Sequence, residues 1–158
     1  MTTEQRATQR EIRNALGVAD TFDAQAEITR RVTFLADLLR AGNLSALVLG
    51  ISGGVDSLVA GCLSQRAAQV VRGDGGQARF VAMRLPYGTQ LDEADAQACL
   101  RVIAPDETLT VDIRPAADAM LDSVRASGLA FRDAKQQDFL HGNIKARQRM
   151  IAQYAVAG

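Results

Sequence analysis

The chain has 158 residues, 18 Lys plus Arg against 18 Asp plus Glu, and a hydrophobic content of 47%, enough for one domain with a real core. Zero net charge and 4% aromatics give neither the basic surface nor the stacking platforms that nucleic acids need, and Cys62 and Cys99 lie too far apart for a paired zinc motif. No apolar run approaches the roughly 20 residues of a bilayer span, and the opening residues lack the apolar stretch of a secretory signal, so the expected class is a soluble cytoplasmic domain without nucleic-acid or membrane partners.

Residues 3–16 are helix-compatible, with Ala7, Ile12 and Leu16 as apolar positions and Gly17 as a left-handed stop. Asp23 is placed to cap a second helix, in which Ile28, Val32, Leu35 and Leu39 recur at helical steps until Gly42 and Asn43. From residue 46 the period changes. Ala46-Leu47-Val48-Leu49-Gly50 is a continuous apolar run, as in a strand buried on both faces of a parallel sheet. A glycine-rich turn leads into a helix over 55–69, with Leu58, Val59, Cys62 and Leu63 inward. Phe80 to Met83 form a second strand, closed by Pro86, and 92–103 form a helix with acids at its positive end. Leu109 to Ile113 read as a third strand, and Pro115 opens another helix. A loop around 139–142 precedes a last helix over 143–154. The alternation indicates α/β architecture with a parallel sheet. Residues 1–43 form a helical lead-in and 44–158 the α/β core.

One stretch carries chemistry: Gly50-Ile51-Ser52-Gly53-Gly54-Val55-Asp56-Ser57. It lies at a strand-to-helix turn at the carboxyl end of the first strand, where open α/β sheets bind ligands. Gly53 and Gly54 let backbone N–H groups converge on an anion, the helix start adds unpaired donors, and Ser52 and Ser57 add hydroxyls. The loop lacks the lysine and spacing of a Walker A motif and the spacing of a dinucleotide fingerprint. An acid among phosphates needs a cation between them, so Asp56 reads as a magnesium ligand.

Ser-Gly-Gly-x-Asp-Ser after an apolar strand resembles the signature of the PP-loop superfamily, the N-type ATP pyrophosphatases, which cleave ATP between its α- and β-phosphates. Two further segments narrow the resemblance. Arg84-Leu85-Pro86-Tyr87-Gly88-Thr89-Gln90 follows the second strand, and Gly142-Asn143-Ile144-Lys145-Ala146-Arg147-Gln148-Arg149-Met150 lies near the end. Both are similar to segments of the bacterial NAD synthetases, and the order of the three motifs agrees.

That resemblance implies a three-layer, flavodoxin-like fold of the adenine nucleotide α-hydrolase type, and ATP-dependent amidation of deamido-NAD through an adenylate. It implies that Gly50 to Ser57 hold ATP with Asp56 on magnesium, and that Arg84, Leu85 and Gln90 lie near adenine and ribose. Phe139, Asn143 and Arg147 match positions lining the deamido-NAD pocket; charge spacing alone would make Arg147 a solvated helix residue. His141 is assigned no catalytic role. No amidohydrolase domain fits before Ser52, so free ammonia is the expected nitrogen donor, and relatives pair as homodimers. Other readings are a different PP-loop amidating or tRNA-modifying enzyme, or a nucleotide-binding module without catalysis.

The resemblance also implies a strand order of 3-2-1-4-5, with the first strand central. Here that strand would have one unpaired edge, and family chains run on to a second acidic magnesium ligand and phosphate-contacting lysines. The expectation is therefore the amino-terminal part of a larger synthetase, with a core incomplete at its C-terminus and inactive in isolation.

Overall fold

The computed structural model describes residues 3–19, 21–88 and 93–158, which divide into two compact units, Met1–Arg31 and Val32–Gly158. In the first, α1 spans Thr3–Ala15 and Gly17 ends it at φ +63°, where a residue without Cβ adopts the left-handed turn freely. The second helix, α2, spans Ala24–Ala41. Asp23 caps it as expected, its Oδ1 accepting from the N–H groups of Gln25 and Ala26 at 3.0 Å each.

In the second unit, β1 (Ala46–Gly50), α3 (Val55–Gly73), β2 (Arg79–Arg84), α4 (Glu93–Ile103), β3 (Glu107–Thr110), α5 (Arg114–Ala126) and α6 (Ala134–Ala157) follow one another. The sheet is parallel with order β1-β2-β3, Val48 pairing with Val81 and Met83 with Leu109. Alternate side chains separate the faces. Leu47, Leu49, Phe80 and Ala82 pack on one side with Ala36 and Leu39 of α2, Ala67, Ala68 and Val71 of α3, and Leu100 and Ile103 of α4. Val48, Met83 and Leu109 pack on the other with Ala152 of α6, and α5 packs against α6. The result is a three-layer α/β fold. Phe80 is fully buried at its centre, a burial that contributes roughly 1.5–3 kcal/mol.

Four expectations need correction. Each residue of β1 is half-buried rather than enclosed, because β1 pairs only with β2 among the described residues and its other edge is unpaired by any strand. The third strand lies earlier than 109–113. Ala104, at φ +49°, ends α4 abruptly and brings Glu107 beside Val81. Past Thr110 the chain still follows β2, with Val111 N–H donating to Arg84 O and Ile113 N–H to Pro86 O at 2.9 Å each, but outside strand geometry. In α3 the inward residues are Gly61, Ser64, Gln65, Ala67, Ala68 and Val71, with Leu58 and Cys62 half-buried, whereas Val59 is exposed.

The last correction matters most. No loop separates 139–142 from the final helix; α6 is continuous over 24 residues. Asp133 caps it, accepting from Gln136 N–H at 2.7 Å, and Gly142 is carried inside at a cost of about 1 kcal/mol against Ala.

Candidate functional site

The turn between β1 and α3 is built by its own polar groups. Ile51 N–H donates to Met83 O at 2.8 Å, extending the ladder past Gly50. Gly53 then takes φ +97°, and Ser52 and Ser57 close the turn. Their hydroxyl oxygens lie 3.1 Å apart, Ser57 Oγ accepts from Ser52 N–H at 3.2 Å and donates to Gly54 O at 3.0 Å, and Ser52 Oγ accepts from Gly54 N–H at 3.3 Å. Gly50 N–H, on the free edge of β1, is taken by Gln153 Oε1 at 2.8 Å.

These bonds refine the expected cradle. The amides of Gly50, Ile51, Ser52 and Gly54 are occupied, whereas those of Gly53, Val55, Asp56 and Ser57 find no acceptor among the described residues. The last three belong to the first turn of α3, where helix geometry leaves donors unpaired and the macrodipole is positive. Asp56 is exposed in that turn, a placement the dipole favours by about 0.3–1 kcal/mol.

Behind the turn lies a cavity of about 290 Å³ lined by Gly50, Ile51, Ser52, Met83, Arg84, Leu85, Arg149 and Gln153. Arg84 is only 3% exposed. Its guanidinium donates to Ile51 O and, at 2.7 Å, to Glu93 Oε2, so it ties the turn to the start of α4. That bond from Arg84, and a second from Gln97, hold the Glu93 carboxyl below its usual range. Leu85 is buried, and its carbonyl accepts from Arg149 Nε at 3.0 Å. Cys99, buried as a small hydrophobe, sets Sγ 3.6 Å from Gly53 O.

The expected residues thus fall into two groups. Gly50 to Ser57, Arg84 and Leu85 come together around the turn and cavity, and Gln90 lies outside the described residues. Phe139, Asn143 and Arg147 are four residues apart on one face of α6, where Arg147 donates to Asn143 O at 3.0 Å and to Oδ1 at 3.2 Å. They do not line the cavity. Arg149 and Gln153, further along the same helix, do line it and were not singled out in the sequence. Their spacing of four residues is the available signal, because it stacks both on one face of a helix.

A second cluster surrounds Tyr87. Its hydroxyl donates to Asp118 Oδ1 at 2.6 Å, Lys145 Nζ lies 4.1 Å above its ring, and His141 meets it edge-on at 5.4 Å. The bond to Asp118, then partial desolvation, raises the phenol above its usual pKa. His141 Nε2 is 3.2 Å from the same Asp118 oxygen, within ion-pair distance but off the line of a hydrogen bond. The cluster pins the 84–88 segment between α5 and α6.

Comparison with known proteins places this architecture. Residues 27–158 match the family described as NAD synthase. The chain belongs to the NAD synthase family. The NH3-dependent NAD+ synthetase of Streptomyces coelicolor is 62% identical over 152 residues, covering 96% of this chain and 55% of the relative. The crystal structure of NAD+ synthetase from Burkholderia pseudomallei superposes with a TM-score of 0.92 at 60% identity, over 98% of this chain and 66% of that one. The NMN synthetase of Francisella tularensis is more distant, with a TM-score of 0.67 at 29% identity over 87% of this chain and 51% of its own. This NAD synthase family chain therefore spans about half the length of the curated relatives it matches. No described helix is long and apolar enough to cross a membrane.

Proposed function

We propose that this chain carries the ATP-handling part of an ammonia-dependent NAD synthetase, a ligase that forms a carbon–nitrogen bond. The observation that carries this reading is the turn itself. Four amides that find no acceptor among the described residues and an exposed Asp56 sit at the carboxyl edge of the sheet, in a chain of the NAD synthase family. The nicotinate carboxylate of deamido-NAD attacks the α-phosphorus of ATP. An O–P bond forms, the α–β anhydride bond breaks, and pyrophosphate departs with the electron pair. Ammonia then attacks the acyl carbon, AMP leaves, and a proton passes to solvent.

In this scheme the amides of Gly53, Val55, Asp56 and Ser57 receive the phosphate oxygens, and the serine hydroxyls exchange their mutual contact for them. Preorganised donors of this kind are worth about 10²–10³ in rate each. Arg84 and Leu85, with Gln90, bound the nucleoside side. Phe139, Asn143 and Arg147 offer deamido-NAD one helix face with a ring, an amide and a cation.

Asp56 suits magnesium, being an exposed oxygen donor beside the free amides, and no group of three His, Cys, Asp or Glu among the described residues forms a protein-only cage. Magnesium commonly uses one carboxylate, waters and substrate phosphates in this way. When bound, it would neutralise charge developing on the departing pyrophosphate. The reading extends to a cytoplasmic homodimer, which sedimentation of the full-length protein checks.

The test is to incubate full-length protein with ATP, magnesium, ammonium and either deamido-NAD, nicotinate mononucleotide or XMP. NAD, AMP and pyrophosphate in equal amounts from the first mixture support the reading. Asp56→Ala should reduce turnover by at least about 10²-fold while lowering stability by no more than the roughly 0.3–1 kcal/mol of its dipole contact. Amidation of the mononucleotide or of XMP in preference to deamido-NAD, or normal turnover by Asp56→Ala, would overturn it.

A further inference from the structure

The cavity behind the turn holds a surplus of donors that the fold itself does not use. Of its two arginines, Arg84 is compensated by Glu93 at 2.7 Å. Among the described residues Arg149 pairs with no carboxylate, and its one side-chain hydrogen bond runs from Nε to Leu85 O at 3.0 Å. The two terminal nitrogens of Arg149 therefore meet no acceptor among the described residues. Independently, the buried Nε of Arg84, a residue of the same cavity, also lacks a partner among the described residues. Gln153 does not serve as that acceptor, its Oε1 accepting from Gly50 N–H and its Nε2 donating to Arg149 O. Leaving a buried donor unsatisfied costs about 1–3 kcal/mol, so Arg84 Nε calls for an acceptor from outside, and the half-buried Arg149 lines the same cavity with its terminal edge uncommitted.

We infer that Arg149 binds a phosphate group of the nucleotide in this cavity, supplying the fixed positive charge that the turn, lacking a lysine, does not carry. The inference rests on the ATP reading above. A guanidinium offers donors on two edges in a rigid plane. Here the Leu85 carbonyl holds one edge and fixes the plane, and the terminal edge keeps the fork that matches phosphate oxygens. A lysine at the same position would keep the charge without the fork.

The experiment measures binding of magnesium–ATP, AMP and adenosine to full-length protein by calorimetry, for the parent, Arg149→Met and Arg149→Lys. Arg149→Met should weaken ATP and AMP by about 10- to 100-fold, as expected for hydrogen bonds to a charged group. Adenosine affinity should be unchanged, and Arg149→Lys should fall between. Adenosine is the decisive arm, because a purely structural loss through Leu85 O would weaken all three ligands alike. That pattern, or unchanged ATP affinity in Arg149→Met, overturns the inference while leaving the ATP reading intact. Failure of the parent to bind ATP overturns both.

Discussion

Gly53 and Gly54 are adjacent in sequence and opposite in what they tolerate. Gly53 sits at φ +97°, and a Cβ built there would lie 3.0 Å from Ala96 N and 3.3 Å from Asp95 Cβ. An L-residue in left-handed backbone costs about 1–2 kcal/mol. Pressing a methyl onto the backbone of α4 costs about 1–3 kcal/mol more, offset by about 0.4–1 kcal/mol from a stiffer unfolded chain. Gly53→Ala should thus destabilise by about 1–4.6 kcal/mol, lowering the urea midpoint by roughly 0.5–2.3 M for a slope near 2 kcal/mol/M. Gly54 is different. Its backbone is extended, at φ −80° and ψ 159°, and the nearest atom to its added Cβ is Ser52 Oγ at an ordinary 3.5 Å. Gly54→Ala should leave the midpoint within about 0.3 M of the parent, the unfolded-state gain cancelling any small loss. Urea unfolding followed by circular dichroism reads both. Equal losses in the two variants, or an unshifted Gly53→Ala, would refute the conformational argument for the motif.

Two further outcomes follow from packing and charge. A Cβ on Gly61 would lie 2.6 Å from Ile103 Cδ1, so Gly61→Ala should destabilise by about 1 kcal/mol despite its better helix propensity, and most of that loss should vanish in an Ile103→Val background, as a double-mutant unfolding cycle will show. Burial alone would raise the Asp106 carboxyl, yet Phe80 N–H at 2.8 Å, Gln65 at 3.0 Å and a two-point contact with Arg72 hold it below its usual value. Its contribution is therefore present above the unfolded pKa of about 3.9 and is lost as pH falls through the lowered folded value. Asp106→Asn should cost about 1–3 kcal/mol near neutrality, and the gap from the parent in unfolding midpoint should narrow steadily below about pH 4; a constant gap would argue against the carboxylate.

Local signals served where local physics decides. The Asp23 cap, the Gly17 stop, Pro115 at the start of α5 and the apolar runs of β1 and β2 all lie where their chemistry points. They are short-range features with one strong interaction each. The third strand lies upstream of the more apolar stretch Leu109 to Ile113, because pairing is set by the sharp exit from α4 at Ala104. α6 begins earlier than the sequence suggests, because Gly142 reads as a break whereas the Asp133 cap starts the helix upstream. The phosphate turn was legible because its glycines and serines satisfy one another locally. Arg149 and Gln153 were not, because their partners, Leu85 and Gly50, lie 64 and 103 positions away.

The Gln153–Gly50 contact also bears on the order of assembly. Its span of 103 positions carries a closure entropy of roughly 4 kcal/mol on the (3/2)RT ln n scale, which neither partner can offset until the intervening sheet and helices have drawn the ends together. The turn therefore acquires its last constraint only when α6 docks. A growing polypeptide would hold β1 and β2 paired well before Gly50 is fixed, making the amide of that residue among the latest in the sheet to gain protection from hydrogen exchange during refolding.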